Sequence, residues 1–161
     1  MIHLIEDIFT TNERQLILEG IQPLLVEGDS LSMIYFNEKG RFRGRQTHAT
    51  FHLNLGFKWV HERFIDNIKQ QTNLDLEIAR SWVNFTNGSQ DLNYHTHPHD
   101  YSSVYYLKTL PFINSGTMFE KKFVRASQNS MLLFPSDLSH SAPHSLLRYN
   151  RYTIALELVR K

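Results

Sequence analysis

Cysteine is absent from all 161 residues. Disulfide bonds, thiolate nucleophiles and cysteine-bound zinc are therefore excluded. Net charge is nearly absent too: Lys and Arg number 17, Asp and Glu 16, leaving +1. That balance gives no general drive toward nucleic acid or an acidic membrane, so neither is expected as a partner. No apolar run is long enough to cross a bilayer. The opening stretch from Met1 to Phe9 carries Glu6 and Asp7 and no basic segment. It does not read as a signal peptide, and a cytoplasmic protein is expected. Internal repeats, low-complexity segments and linkers are also missing, so a single domain over 1–161 is expected.

What remains is a globular composition. Apolar residues make up 41% of the chain and aromatics 12%, enough for a real core. Thr10 or Thr11 can cap a helix over 12–24, with Glu13 in its first turn and Leu16, Ile17 and Leu24 at helical spacing. Gly28-Asp29 marks its exit, and 31–36 reads as a short strand. The 37–45 stretch is a turn and basic loop. Its arginines, Arg41, Arg43 and Arg45, read as solvated, or else as a rim meeting an acidic substrate or peptide. The strongest helical pattern covers 57–71, where Phe57, Val60, Phe64, Ile65 and Ile68 share one face. His48, His52 and His61 lack a partner spacing and read as surface or satisfied core histidines.

From Glu77 the period changes to that of strands, at 77–85, 102–107, 117–119, 123–125, 131–135 and 151–159. Trp82 reads as core, and one of Tyr105 and Tyr106 must also be core, because neighbours on a strand point to opposite faces. A helical part over about 1–75 followed by a β core over about 77–159 is expected. Such an order suggests a mainly β fold, a β-sandwich or jelly roll with helices packed outside.

Chemistry concentrates in Asn93-Tyr94-His95-Thr96-His97-Pro98-His99-Asp100. Residues i and i+2 of an extended strand share a face, so His95 and His97 aim two imidazoles at one point, as a metal ion requires. Pro98 limits regular pairing beyond them. A later segment holds Asp137, His140 and His144. In a jelly roll distant strand ends meet at the barrel mouth, so His140 is a natural further ligand. Arg151 opens the last strand. An arginine facing a barrel interior is costly unless it meets an anion, and its fork suits a carboxylate. Thr153 points to the same side and can add a hydroxyl bond. His99 and His144 read as outer or surface groups, and Asp137 as a turn cap.

Trp82-x-Asn84, Gly88, Asn93-x-His95-x-His97-Pro98, Ser103-Val104-Tyr105-Tyr106-Leu107, Leu133-Phe134-Pro135-Ser136, His140 and Arg151-x-Thr153 together resemble the 2-oxoglutarate- and iron(II)-dependent oxygenases. The likeness is strongest to a phage and bacterial subgroup with H-x-H-P, and it covers 80–158. It implies a double-stranded β-helix, cupin-like, with iron at its mouth. It places His95 and His140 on the family's iron histidines and Arg151 on the residue that binds the far carboxylate of 2-oxoglutarate, with Thr153 beside it. Asn84, and Tyr105 or Tyr106 on the strand that adds a cosubstrate hydrogen bond, complete the implied cosubstrate set, with Tyr105 taken as the contact. His97 departs from the family's usual H-x-D or H-x-E. It is the expected third ligand, with His99, Asp100 and Asp137 as alternatives.

The implied activity is hydroxylation of a C–H bond in a small molecule or peptide, with Fe(II) as cofactor, 2-oxoglutarate as cosubstrate, and succinate and CO2 released. Two other classes share the histidines: a non-catalytic cupin-like module that binds metal or a small molecule, and a zinc or nickel cupin with different chemistry. The module needs no dicarboxylate anchor, so Arg151-x-Thr153 discriminates in favour of the oxygenase, and the zinc or nickel cupin would bind metal but release no succinate.

Overall fold

The computed structural model describes residues 1–25, 32–35, 44–87, 94–111, 115–120, 122–143 and 147–161, with 32–35 described in backbone only. The expected turn at 28–29, positions 37–43 of the basic loop, Gly88, Asn93 and His144 lie outside the described residues.

Thr10 caps the first helix, α1 (Thr11–Ile21), through a reciprocal pair of bonds. Thr10 Oγ1 accepts from Glu13 N at 3.2 Å, and Glu13 Oε2 accepts from Thr10 N at 2.8 Å. The helix stops short of the expected Leu24, because Pro23 has no N–H to donate back along the helix. The chain continues instead as one 3₁₀ turn, Gln22–Leu25. The second helix, α2 (Lys58–Thr72), ends on Asn73 in the left-handed region, φ 60°. Its Val60, Phe64 and Ile68 are fully buried, and Phe57 and Ile65 pack at the edge of the same core.

Strands β1 (His3–Ile5), β2 (Ser32–Tyr35), β3 (Gly44–Thr47), β4 (Leu76–Asn87), β5 (Tyr101–Lys108), β8 (Met131–Pro135) and β10 (Asn150–Arg160) form one antiparallel sheet, ordered β1-β8-β5-β10-β4-β3-β2. Strands β6 (Gly116–Phe119), β7 (Lys122–Arg125) and β9 (His140–Ser141) form a second, ordered β7-β6-β9. This is the double-stranded β-helix expected, with helices on the outer face of the larger sheet. The segment before β4 is more than helical, since β1, β2 and β3 belong to it.

Strand β10 shows how the sheet divides its two faces. Tyr152, Ile154, Leu156 and Leu158 join the core that includes Ile17, Ile21, Phe64 and Ile68 from the helices. Arg151, Thr153 and Ala155 line a cavity on the other side, and Glu157 is buried beyond them. A bulge on β4 sets what faces them. Glu157 pairs with Arg80 but Leu158 with Ile78, which leaves Ala79 as the extra residue. The bulge reverses the parity of β4, so Ile78 packs on the helix-side core while Trp82 and Asn84 line the cavity.

Buried His61 of α2 links that helix to β4. Its Nδ1 donates to Phe57 O at 2.9 Å and its Nε2 accepts from Ser81 Oγ at 3.0 Å. Burial pushes its pKa down to about 4. The unfolded chain protonates His61 near pH 6.5 and the folded chain only near 4. Its contribution is therefore complete above 6.5 and is lost as pH falls from there toward 4. The loss approaches about 3 kcal/mol. Urea midpoints measured across that range should fall with acidification in the wild type, and less steeply in His61→Gln. Equal slopes in the two proteins would remove His61 as the cause.

Candidate functional site: a histidine cluster and a buried arginine in one cavity

His95 and His140 exchange backbone bonds, each N donating to the other's O at 3.0 Å, as an isolated bridge. His97 N donates to Ser136 O at 3.0 Å. The H-x-H pair is thus held by cross-links to the 136–140 segment rather than by a continuous strand, and Pro98 follows directly. The three rings face one another, with centroids 4.5 Å apart for His95 and His140, 5.0 Å for His95 and His97, and 5.2 Å for His97 and His140. One ring nitrogen from each lies within 4.8 Å of the others.

Hydrogen bonds set which nitrogen is available. His140 Nδ1 donates to Leu138 O at 3.0 Å, leaving the Nε2 lone pair for a ligand. His97 Nδ1 donates to Glu157 Oε1 at 3.0 Å, which leaves Nε2 of that ring in the same role. Burial lowers the pKa of His140 to about 4, and the backbone bond to Leu138 opposes the shift without reversing it. Burial lowers that of His97 as well, against the opposing pull of Glu157. Neutral imidazole is the form that binds metal, so the cluster suits an imidazole-ligated ion.

The other candidate ligands lie elsewhere. Asp100 Oδ2 accepts from Arg160 N at 2.8 Å, Asp137 is exposed, and His99 Nδ1 contacts Glu157 Oε2. Among the described residues, His95, His97 and His140 form the one group of three ligating side chains.

The cavity beside the cluster has a volume of about 320 Å³. Arg151, Thr153, Asn84 and Gln46 supply polar lining, while Val104 and Ala155 supply apolar lining. The lining follows from register: Gln46 lies opposite Asn84, and Asn84 opposite Thr153. Arg151 is only 5% exposed, and its guanidinium carbon sits 5.6 Å from the centre of the Tyr106 ring.

Two expectations are corrected here. Tyr105, expected at the cosubstrate, lies on the helix side of β5, with its ring 5.0 Å from Phe64 and 5.5 Å from Phe9 and its hydroxyl donating to Asn129 Oδ1 at 3.0 Å. Tyr106 takes the cavity side, directly opposite Thr153. Trp82, expected in the core, lines the cavity with its ring 5.7 Å from His97. Sequence reasoning also passed over Glu157, which is 1% exposed and touches both His97 and His99. The signal for it was present, because Glu157 continues the period of Arg151, Thr153 and Ala155.

No family model and no curated protein sequence matches the chain. Solved structures do. HygX from Streptomyces hygroscopicus, with nickel and 2-oxoglutarate bound, superposes with TM-score 0.71 at 12% identity, over 99% of this chain and 83% of that one. SnoN, the non-heme alpha-ketoglutarate-dependent epimerase of nogalamycin biosynthesis, gives 0.74 at 10%, over 99% and 78%. A prolyl hydroxylase from Trichoplax adhaerens, in complex with a hypoxia inducible factor peptide fragment, gives 0.68 at 15%, over 99% and 83%. The chain has the fold of 2-oxoglutarate-dependent oxygenases. Among the described residues, no helix is long and apolar enough to cross a membrane.

Proposed function

We infer that the protein is a 2-oxoglutarate- and iron(II)-dependent oxygenase that hydroxylates a C–H bond of a small molecule or peptide. The observation that carries this reading is the meeting, at one cavity, of three converging imidazoles and a buried arginine. The donor set fits the metal, since two of the three rings are held by their Nδ1 bonds with Nε2 free to ligate. The arginine fits the cosubstrate, since a planar cation buried in a cavity is matched by a carboxylate accepting two bonds.

His95, His97 and His140 would hold iron(II). Arg151 would grip the far carboxylate of 2-oxoglutarate, and Thr153 and Asn84, paired across β10 and β4, would add hydrogen bonds on its flank. With dioxygen as the oxidant, the bound metal and cosubstrate would supply oxidative decarboxylation of 2-oxoglutarate, one oxygen atom entering succinate as CO2 leaves and the other going to the substrate C–H bond as its hydroxyl. Val104 and Ala155 present apolar surface to the cavity, which would limit water there, and the Trp82 ring stands beside His97 on the β4 side.

Anaerobic titration with iron(II) and then 2-oxoglutarate tests the reading. A metal-to-ligand charge-transfer band should grow in and saturate at one iron per chain. If iron binds and no band develops, the cosubstrate assignment falls and a metal-binding module takes its place. If iron does not bind, the oxygenase reading fails altogether.

A further inference from the structure

Glu157 presents a problem that the fold does not explain. A carboxylate 1% exposed, on the cavity side of a central strand, is expensive unless its partners offset the desolvation. Leu158 and Leu156 beside it pack into the helix-side core, so the strand itself needs no charge here. The partners are specific. Oε1 lies 3.0 Å from His97 Nδ1 and 3.5 Å from Arg80 Nη1, while Oε2 meets His99 Nδ1. One carboxylate thus spans two imidazoles two residues apart, and one of those imidazoles belongs to the cluster.

We propose that Glu157 is a positioning residue for the metal site, acting through His97 as the carboxylate that three histidines alone would lack. The proposal rests on the oxygenase reading above. Three neutral imidazoles contribute no charge to offset a divalent cation. A carboxylate hydrogen-bonded to the far nitrogen of a ligating imidazole fixes its tautomer, locks its ring orientation and raises its basicity. It also places a negative charge one hydrogen bond removed from the metal, offset only in part by Arg80, whose guanidinium is 3.5 Å away on a side chain 51% exposed to solvent. Low-dielectric surroundings make that charge count for more than it would in water. His99 and Arg80 hold the carboxylate itself, since Oε2 is taken by His99 and Oε1 is shared with Arg80. Position 97 can therefore be a histidine without leaving the site short of an anion.

The test compares wild type with Glu157→Gln and Glu157→Asp, using cobalt(II) as an optical stand-in for iron(II), with apoprotein melts in parallel. In Glu157→Gln the shape remains, the charge goes, and His97 loses its carboxylate acceptor. Cobalt(II) affinity should fall about 10–100-fold, the range for an outer partner of a metal-bound histidine. The visible band should keep its coordination type but shift, and Glu157→Asp should recover part of the affinity. The apoprotein melting temperature reports the cost of the lost contacts separately, so affinity is compared per folded chain. A purely structural Glu157 predicts a lower melting temperature with unchanged affinity per folded chain, and that result overturns the proposal. So does a change of coordination number in Glu157→Gln, which would make Glu157 a direct ligand. If Glu157→Gln does not fold, Glu157→Asp decides alone: wild-type affinity and spectrum there overturn the proposal. Failure of the wild type to bind cobalt(II) would strike the oxygenase reading instead.

Discussion

Substitution of His140 by alanine is expected to abolish iron(II) binding while leaving the protein folded. His140 is only 5% exposed, with its ring centroid 4.7 Å from that of Phe134, and its Nδ1 is tied to Leu138 O. Its Nε2 is therefore held in place before any metal arrives, and the entropy of placing that ligand is already spent in folding. Removing it leaves two imidazoles where three converged. The loss should exceed the roughly 10–100-fold that follows when only an outer partner of a ligand is removed. The fold should survive, because His140 is neutral at pH 7, with its pKa near 4, and the backbone bridge between 95 and 140 does not use its side chain. His95→Ala should behave alike, whereas Asp137→Ala, at an exposed position, should bind as the wild type does. Anaerobic equilibrium dialysis with metal analysis decides the matter. Full occupancy in both His95→Ala and His140→Ala would refute the assignment of the cluster.

Where a periodic pattern meets a straight element, the sequence read well. The apolar face of α2 and the alternation of β10 are both visible by spacing alone, because each element keeps one period along its whole length. Parity was the weak point elsewhere. Ile78 and Trp82 are four residues apart and, on an unbroken strand, would share a face. The extra Ala79 puts them on opposite faces, and nothing local marks Ala79 as a bulge. On β5 the register shift between Tyr152 and Thr153 leaves Leu107 as the extra residue, so the choice between Tyr105 and Tyr106 depends on pairing rather than on sequence. Strands β1 and β3 are three and four residues long, too short for alternation to show, and exist because β8 and β4 offer them edges. The histidine cluster was legible because chemistry, rather than periodicity, marked it. The face that Glu157 takes was legible from its period, but its role was not, because that depends on a neighbour 60 residues earlier in the chain, His97.

Replacing Arg151 with alanine should separate cosubstrate anchoring from metal binding. Arg151 lines the cavity but is not part of the histidine cluster, so iron(II) affinity measured without cosubstrate should barely change. Affinity for 2-oxoglutarate should fall steeply. Losing one partner of a buried, charge-assisted pair costs about 2–5 kcal/mol. At about 1.4 kcal/mol per factor of ten, that is roughly 30-fold or more. Arg151→Lys keeps the charge but replaces a planar fork with a point charge on a flexible stem, so it should restore only part of the affinity. The guanidinium also sits over the Tyr106 ring at 5.6 Å, so Arg151→Ala should lower the melting temperature slightly. Binding is therefore to be compared at a temperature where both proteins are folded. The measurement is the anaerobic charge-transfer titration at saturating iron(II), read as the 2-oxoglutarate midpoint for each protein. Wild-type affinity in Arg151→Ala would remove Arg151 as the cosubstrate anchor. A midpoint that moves together with iron affinity would mean that Arg151 supports the metal site and not the cosubstrate.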